Sequence, residues 1–173
     1  MAGKKITQYD VRKLPFPIRP GDPVFFIYDY DEHPIEEVEA TSVGINEEGR
    51  LLIECDRQEY EIGKEDAVFL SREDAERYVA DPDSIPDDYG IVKYRKSDLP
   101  YHPGMYFYYC DYDGFGRKWD IFEEYYTEVR FDKDGSIRVG DGESECTVAG
   151  ERVDPCFETL REARAYVKSH RFP

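Results

Sequence analysis

The chain has 173 residues, a formal net charge of −16 and a mean hydropathy of −0.74. Hydrophobic residues make up 40% of it and aromatic residues 15%, more than a disordered acidic chain carries, so we expect a folded, β-rich protein. No apolar run approaches the roughly 20 residues of a membrane span. Met1–Gln8 has no apolar core of the kind found in a secretory signal. These features predict a cytoplasmic protein.

Three segments recur in the same order in the two halves of the chain, which indicates an internal duplication. Each copy begins with a Pro-Gly followed by an aromatic strand and an Asp-Tyr-Asp, continues through an Asn- or Asp-initiated turn, and ends in a helix. The matching segments are 20–31 with 103–113, 43–53 with 129–139, and 68–79 with 156–167.

Taken in chain order, each copy predicts five short strands and one helix. In the first copy a strand follows Gly21, a hairpin turn lies at 46–49, and Ser71 caps the helix. In the second copy the turn lies at 132–135, and Thr159 opens a capping box with Glu162. This content predicts a mainly β (α+β) fold of two tandem SH3-like bent β-barrels, each closed by a C-terminal helix.

The predicted domain organisation follows from the repeat. Residues 1–80 form the first repeat, strongly acidic from residue 21, and residues 99–173 form the aromatic-rich second repeat. Residues 81–98 are rich in Pro and Asp and read as a linker. A barrel of this size buries little surface alone, so we expect the two copies to pack into one rigid body.

The negative charge is concentrated in the first half. Residues 1–20 carry +4, residues 21–90 carry −17 and residues 91–173 carry −3. Such a field repels nucleic acids and membrane surfaces and attracts basic protein surfaces, although an acidic coat also serves solubility alone. The candidate partner-binding carboxylates are Asp31, Glu32, Glu36, Glu37, Glu39, Asp81, Asp83, Asp87 and Asp88.

The second half is aromatic, with 12 aromatic residues between Tyr101 and Phe131. Neighbouring residues on a strand face opposite sides, so Tyr125 and Tyr126 cannot both point into one core. Exposed Tyr and Trp side chains are typical binding anchors, which makes Trp119, Tyr125 and Tyr126 candidates. The alternative is that these rings form additional core between the two copies.

Metal and catalytic sites have weaker signals. Four cysteines (Cys55, Cys110, Cys146 and Cys156) are spaced by 55, 36 and 10 residues, without the closely spaced pairs of a zinc site, and are expected to be reduced, small buried side chains. The pairs Asp29/Asp31 and Asp111/Asp113 are candidates for divalent-cation binding or acid–base chemistry, or for satisfying turn amides. There is no recognisable catalytic or phosphate-binding motif. We therefore expect a non-enzymatic protein without a cofactor.

The acidic tracts 31–39 and 81–88, on a compact chain without a catalytic signature, resemble in general character the small acidic anti-CRISPR proteins of phages and mobile elements, which include inhibitors of Cas9. The resemblance implies a protein that works in the cytoplasm of a bacterial host and inhibits a nucleic-acid-binding defence complex. Its carboxylates would occupy a basic cleft made for nucleic acid, such as that of Cas9, and block DNA loading without binding nucleic acid directly. The sequence departs from a pure DNA mimic in the −3 of its second half.

Two alternatives remain open at this point. One is an acidic interaction or scaffold module of a mobile element with no inhibitory role. The other is a metal-binding protein or enzyme that uses the Asp-Tyr-Asp pairs or the cysteines.

Overall fold

The computed structural model describes residues 6–27, 35–63 and 68–170. The first half contains strands β1 (Pro23–Ile27), β2 (Ile35–Glu39), β3 (Ser42–Asn46), β4 (Leu51–Cys55), β5 (Gln58–Glu61) and β6 (Val68–Phe69), then helix α1 (Arg72–Ala80). The second half contains β7 (Met105–Asp113), β8 (Lys118–Tyr126), β9 (Glu128–Asp132), β10 (Ile137–Gly140), β11 (Glu145–Ala149) and β12 (Cys156–Phe157), then helix α2 (Leu160–Ser169). Short 3-10 helices lie at Val11–Lys13, Pro82–Ser84 and Lys96–Asp98.

The strands form three antiparallel sheets. Two are three-stranded, in the orders β2-β1-β6 and β12-β7-β8, and the third has six strands in the order β11-β10-β9-β3-β4-β5. The mainly β class is confirmed. The SH3-like barrels are not confirmed, because none of the sheets in the described part of the chain closes on itself. Strands β3 and β9 pair with β4 and β10 of their own halves, and they also pair with each other across the two halves.

The pairing of β3 with β9 joins the two halves in one sheet. Gly44 lies opposite Arg130, flanked by the pairs Val43–Phe131 and Ile45–Val129. These four flanking side chains are fully buried and belong to a hydrophobic core that includes residues of both halves. Burial of such apolar side chains is the dominant favourable term in folding, so the shared core ties the two halves together.

The predicted turns and helix caps are present. The Asn46 side chain accepts hydrogen bonds from the backbone N–H of Glu48 (3.1 Å) and Arg50 (2.9 Å), and Gly49 takes a φ of 80° that glycine adopts without strain. The hydroxyl of Ser71 accepts from the N–H of Asp74 and starts α1, and that of Thr159 accepts from the N–H of Glu162 and starts α2.

The segment between the halves packs against the first half. The Tyr89 hydroxyl accepts a hydrogen bond from the Leu70 N–H (2.8 Å) and lies 3.1 Å from a carboxylate oxygen of Asp74 in α1. The Arg50 guanidinium donates to the carbonyl oxygens of Ile62 (2.9 Å) and Tyr89 (3.3 Å). These bonds hold residues 81–91 beside α1 and β4. Among the described residues, no helix has the length and apolar character needed to span a membrane.

Candidate partner-binding surfaces

A small hydrophobic cluster holds two acidic segments together at one end of the first half. Its buried members are Phe25, Ile27, Phe69 and Ala75, contributed by β1, β6 and α1. Ile35, at the start of β2, and Ile85, between Asp83 and Asp87, both pack against it. Because these two isoleucines sit on the same cluster, the acidic segments 35–39 and 81–88 lie close to each other although they are far apart in the sequence.

We call residues 35–39 and 71–90 the acidic end. It contains ten carboxylates and only two cationic side chains, a net of −8 and therefore half of the charge of the whole chain. Arg72 lies 3.8 Å from Glu37, and Arg77 lies within 3.6 Å of Glu73 and Asp74. Within the described ranges, six exposed carboxylates of this end make no ion pair, namely Glu36, Glu76, Asp81, Asp83, Asp87 and Asp88.

The three glutamates of β2 do not form a single row. Glu36 lies opposite Phe26 and Glu37 opposite Phe25, and consecutive strand residues face opposite sides of a sheet. Glu37 approaches Arg72, whose guanidinium lies 5.4 Å from the centre of the Phe25 ring. Glu39 is 2.5 Å from the ammonium nitrogen of Lys133, in the second half. Because β2 is an edge strand, Glu36 and Glu37 present carboxylates on both sides of that edge.

All four aspartates after α1 are exposed, and one of them, Asp81, also caps a helix. The Asp81 carboxylate accepts a hydrogen bond from the Asp83 N–H (3.2 Å) and so caps the following 3-10 helix. Asp83, Asp87 and Asp88 are exposed. Asp31 and Glu32, the other two predicted carboxylates, lie outside the described residues, as does the first Asp-Tyr-Asp pair.

The three predicted aromatic anchors lie in different environments. Tyr126 is only 2% exposed, and its hydroxyl is 3.2 Å from the Cys146 sulfur, so it is a core residue rather than an exposed anchor. Tyr125 is exposed, packs on the Tyr106 ring and donates a hydrogen bond to Glu47. Trp119 is half-buried beside α2. Tyr125 and Tyr126 differ because consecutive side chains of a pleated strand point to opposite faces, so that Tyr126 faces the core and Tyr125 faces the solvent.

Three exposed aromatic rings were not among the predicted anchors, namely Tyr106 of β7, Phe115 and Phe122. Phe115, in the turn between β7 and β8, is fully exposed, and Phe122 of β8 is about half exposed. All three belong to the long hairpin of β7 and β8, whose strands have nine residues each, against five each in β1 and β2. The clue in the sequence was the Gly114–Gly116 turn, flanked by strand-forming aromatic residues.

The burial predicted for the cysteines is confirmed for three of them and only partly for Cys156. All four are free, with Cys55, Cys110 and Cys146 buried and Cys156 half-buried. Burial raises the pKa of the Cys55 thiol to about 11, helped by the negative charges of Asp56 and Glu54. In the part of the chain that the structure describes, no group of three or more His, Cys, Asp or Glu side chains is arranged to hold a metal ion.

The second Asp-Tyr-Asp pair serves a turn. A carboxylate oxygen of Asp113 accepts a hydrogen bond from the Phe115 N–H (2.9 Å), as the turn-amide interpretation predicted. Asp111 is exposed and lies opposite Asp120 on β8. Asp113 therefore has a structural role in the turn of the β7–β8 hairpin.

An ion-pair network covers the polar face of the six-stranded sheet. Arg138 contacts Asp132 (2.6 Å), Glu145 (2.8 Å) and Glu54 (3.1 Å). Arg130 contacts Glu128 (2.5 Å) and Glu59, and reaches Glu145 at 3.4 Å. Because both arginines are largely buried by their partners, these charges serve the fold, and this face is a poor site for a partner's cation.

Comparison with protein-family models, with curated proteins and with solved structures finds no match for this chain.

Proposed function

We propose that this chain is a non-catalytic binding protein whose acidic end docks on a basic surface of a nucleic-acid-binding protein. The observation that carries the proposal is the meeting of the two acidic segments on one hydrophobic cluster through Ile35 and Ile85. A fold that holds carboxylates at a fixed spacing presents them as a duplex presents its phosphates, and the same arginines and lysines recognise both.

The distribution of charge supports docking over solubility alone. Half of the net charge belongs to the acidic end, and six of its carboxylates have no ion-pair partner among the described residues. The carboxylates of the six-stranded sheet, by contrast, are engaged in the arginine network. An unpaired carboxylate binds a cationic partner at a lower free-energy cost than a paired one, because no internal ion pair has to break.

We further propose that the partner is a bacterial defence nuclease of the Cas9 type, so that the chain acts as an anti-CRISPR protein which prevents DNA loading. The support is the acidic tracts on a compact chain, the general character that it shares with that class. A partner that normally holds a nucleic acid offers the long basic channel which the acidic end complements.

The test is DNA cleavage by purified Cas9–guide RNA complexes, with the protein added either before or after the target DNA. We expect inhibition only when the protein is added first, and weaker inhibition as the salt concentration rises, because exposed charges are screened. Absence of inhibition across several Cas9 types would overturn the anti-CRISPR assignment.

Charge-reversal variants locate the contact. Glu36→Lys/Glu37→Lys and Asp87→Lys/Asp88→Lys alter the two segments of the acidic end separately, at exposed positions. Glu143→Lys/Glu151→Lys makes the same change in net charge at exposed positions of the second half. We expect both acidic-end variants to lose inhibition and the control to keep it. Equal loss in all three variants would mean that only the overall charge matters and would reject the acidic end as the docking site.

A further inference from the structure

A second candidate site lies on the other half of the molecule, between helix α2 and the edge strand β8. It is a cavity of about 400 Å³, within the range of small-molecule sites. Arg164, Val167 and Lys168 of α2 form one wall. Their spacing of three and four residues places them on one helical face. The remaining lining residues are Arg117, Lys118, Trp119 and Ile121, from β8 and the turn before it.

The rim of this cavity is cationic, although the chain as a whole is strongly acidic. Of its four cationic side chains, Lys118 is paired with Asp120 at 3.0 Å. In the described part of the chain, Arg117, Arg164 and Lys168 have no carboxylate within ion-pair distance. Three unpaired cations around one cavity, in a protein of net charge −16, form a local positive field that suits a compact anion.

The floor of the cavity is apolar and held in place. The indole N–H of Trp119 donates to the backbone carbonyl of His170 (2.6 Å). The Trp119 ring packs against Tyr112 at 5.2 Å and edge-on against Tyr166 at 5.5 Å between ring centres. Ile121 and Val167 complete the apolar lining. A fixed aromatic floor lowers the entropy cost of stacking a planar ligand on it.

We propose that this cavity binds a small aromatic phosphate of nucleotide size, with its ring against Trp119 and its phosphate between Arg164, Lys168 and Arg117. Guanidinium and ammonium groups together are the common recognition elements for a phosphate dianion. A long nucleic acid is disfavoured, because the −16 of the chain repels every phosphate that extends beyond the cavity. The proposal goes beyond the acidic end, and each can fail without the other.

The test uses the intrinsic fluorescence of Trp119, which is the single tryptophan of the chain, together with isothermal titration calorimetry. The probes are adenosine monophosphate, adenosine, inorganic phosphate and a short single-stranded oligonucleotide. We expect adenosine monophosphate to bind with a micromolar to millimolar Kd and to change the Trp119 emission. Adenosine and inorganic phosphate should each bind at least about tenfold more weakly, since adenosine lacks the phosphate and inorganic phosphate lacks the aromatic ring.

The variant Arg164→Gln/Lys168→Gln removes two rim cations that are exposed and make no hydrogen bond in the described structure. We expect it to weaken adenosine monophosphate binding by about tenfold or more. The control Lys93→Gln/Arg161→Gln makes the same change in net charge at exposed positions that do not line the cavity. It should bind like the unaltered chain.

Three outcomes would overturn the proposal. The first is no heat and no fluorescence change with adenosine monophosphate at millimolar concentration. The second is inorganic phosphate binding as tightly as adenosine monophosphate, which would remove the ring from the recognition. The third is tighter binding of the oligonucleotide, which would replace the compact ligand by a nucleic acid.

Discussion

Arg130 of β9 passes directly over Gly44 of β3, at the point where the two halves of the chain pair. A Cβ atom at position 44 would lie 2.8 Å from the Arg130 Cγ and 2.6 Å from the Val129 carbonyl oxygen. The absence of a side chain at Gly44 therefore lets the central strands approach and lets Arg130 reach Glu128 and Glu59.

Gly44→Ala should consequently destabilise the whole protein. We expect a loss of about 1–3 kcal/mol in the free energy of unfolding, because the backbone of β9 has to move away from the new methyl group. Urea unfolding followed by circular dichroism measures this change. Gly114→Ala is the matched control, since a Cβ there meets nothing within 4 Å. Equal stability of the two variants would show that the strands have room to separate.

The ion-pair network on the six-stranded sheet can be tested at Arg138. Arg138→Met leaves the carboxylates of Glu54, Asp132 and Glu145 without the cation that lies among them. Removal of one partner from a largely buried ion pair is strongly destabilising, so we expect a loss of about 3 kcal/mol. Arg95→Met removes an exposed arginine that is paired only with Asp98 and should cost less than about 1 kcal/mol. Similar losses would mean that solvent screens the network.

The buried carboxyl groups should make the folded protein more stable at mildly acidic pH than at neutral pH. Burial raises the pKa of Glu59 above its ordinary 4.5 and that of Asp132 above 3.8. A carboxyl whose pKa is higher in the folded state binds protons more tightly there than in the unfolded chain. Its contribution to stability is therefore present at pH values below the folded pKa and is lost as the pH rises through it.

We expect the melting temperature to rise as the pH is lowered from 7 towards about 5, and relief of the repulsion within a chain of net charge −16 acts in the same direction. Below about pH 4 the trend should reverse, because backbone hydrogen bonds lower the pKa of Asp134 and Asp141. Differential scanning calorimetry at a series of pH values measures the profile. Glu59→Gln should flatten the slope at pH values above 4.5, and an unchanged slope would contradict the role of that carboxyl.

The turns and helix caps were predicted correctly from the residues that form them. The turn residues Asn46 and Gly49 and the helix caps Ser71 and Thr159 act through their immediate neighbours, so their sequence context was enough. The strands around those turns were also found. Each of these predictions depends on groups within four residues of one another.

Long-range pairing was not predictable in the same way. No local signal in the residues of β3 distinguishes pairing with β9 from closure within its own copy, because either arrangement would place the apolar Val43 and Ile45 in a sheet. The strand β8 was missed as a partner of β7, since its charged residues interrupt the hydrophobic pattern of an edge strand. The cavity beside Trp119 combines a helix face with a strand edge about 45 residues away in the sequence, and no local motif marks it.

The reactivity of the cysteine thiols tests whether these side chains are buried. With Cys55, Cys110 and Cys146 buried and the pKa of Cys55 raised to about 11, we expect at most one thiol, that of Cys156, to react with a maleimide in the native protein at neutral pH. All four should react after denaturation without any reductant. Mass spectrometry counts the adducts. Fewer than four in the denatured chain would indicate a disulfide, and several in the native chain would contradict the packing of these strands.

Tyr89 tests whether the segment after α1 is part of the folded unit that presents the acidic end. Its hydroxyl lies between the Leu70 N–H and the Asp74 carboxylate, and its ring packs on Phe69 at 5.9 Å between ring centres. Tyr89→Phe keeps the ring but leaves the Leu70 N–H without its acceptor. We expect a loss of about 1–2 kcal/mol in the free energy of unfolding. Tyr106→Phe, at a tyrosine that is 57% exposed, is the control and should be neutral. A neutral Tyr89→Phe would mean that apolar packing and the backbone contacts, such as that of the Arg50 guanidinium with the Tyr89 carbonyl, hold residues 81–91 without this hydroxyl. The carboxylates of Asp87 and Asp88 would then not depend on the hydroxyl for their position.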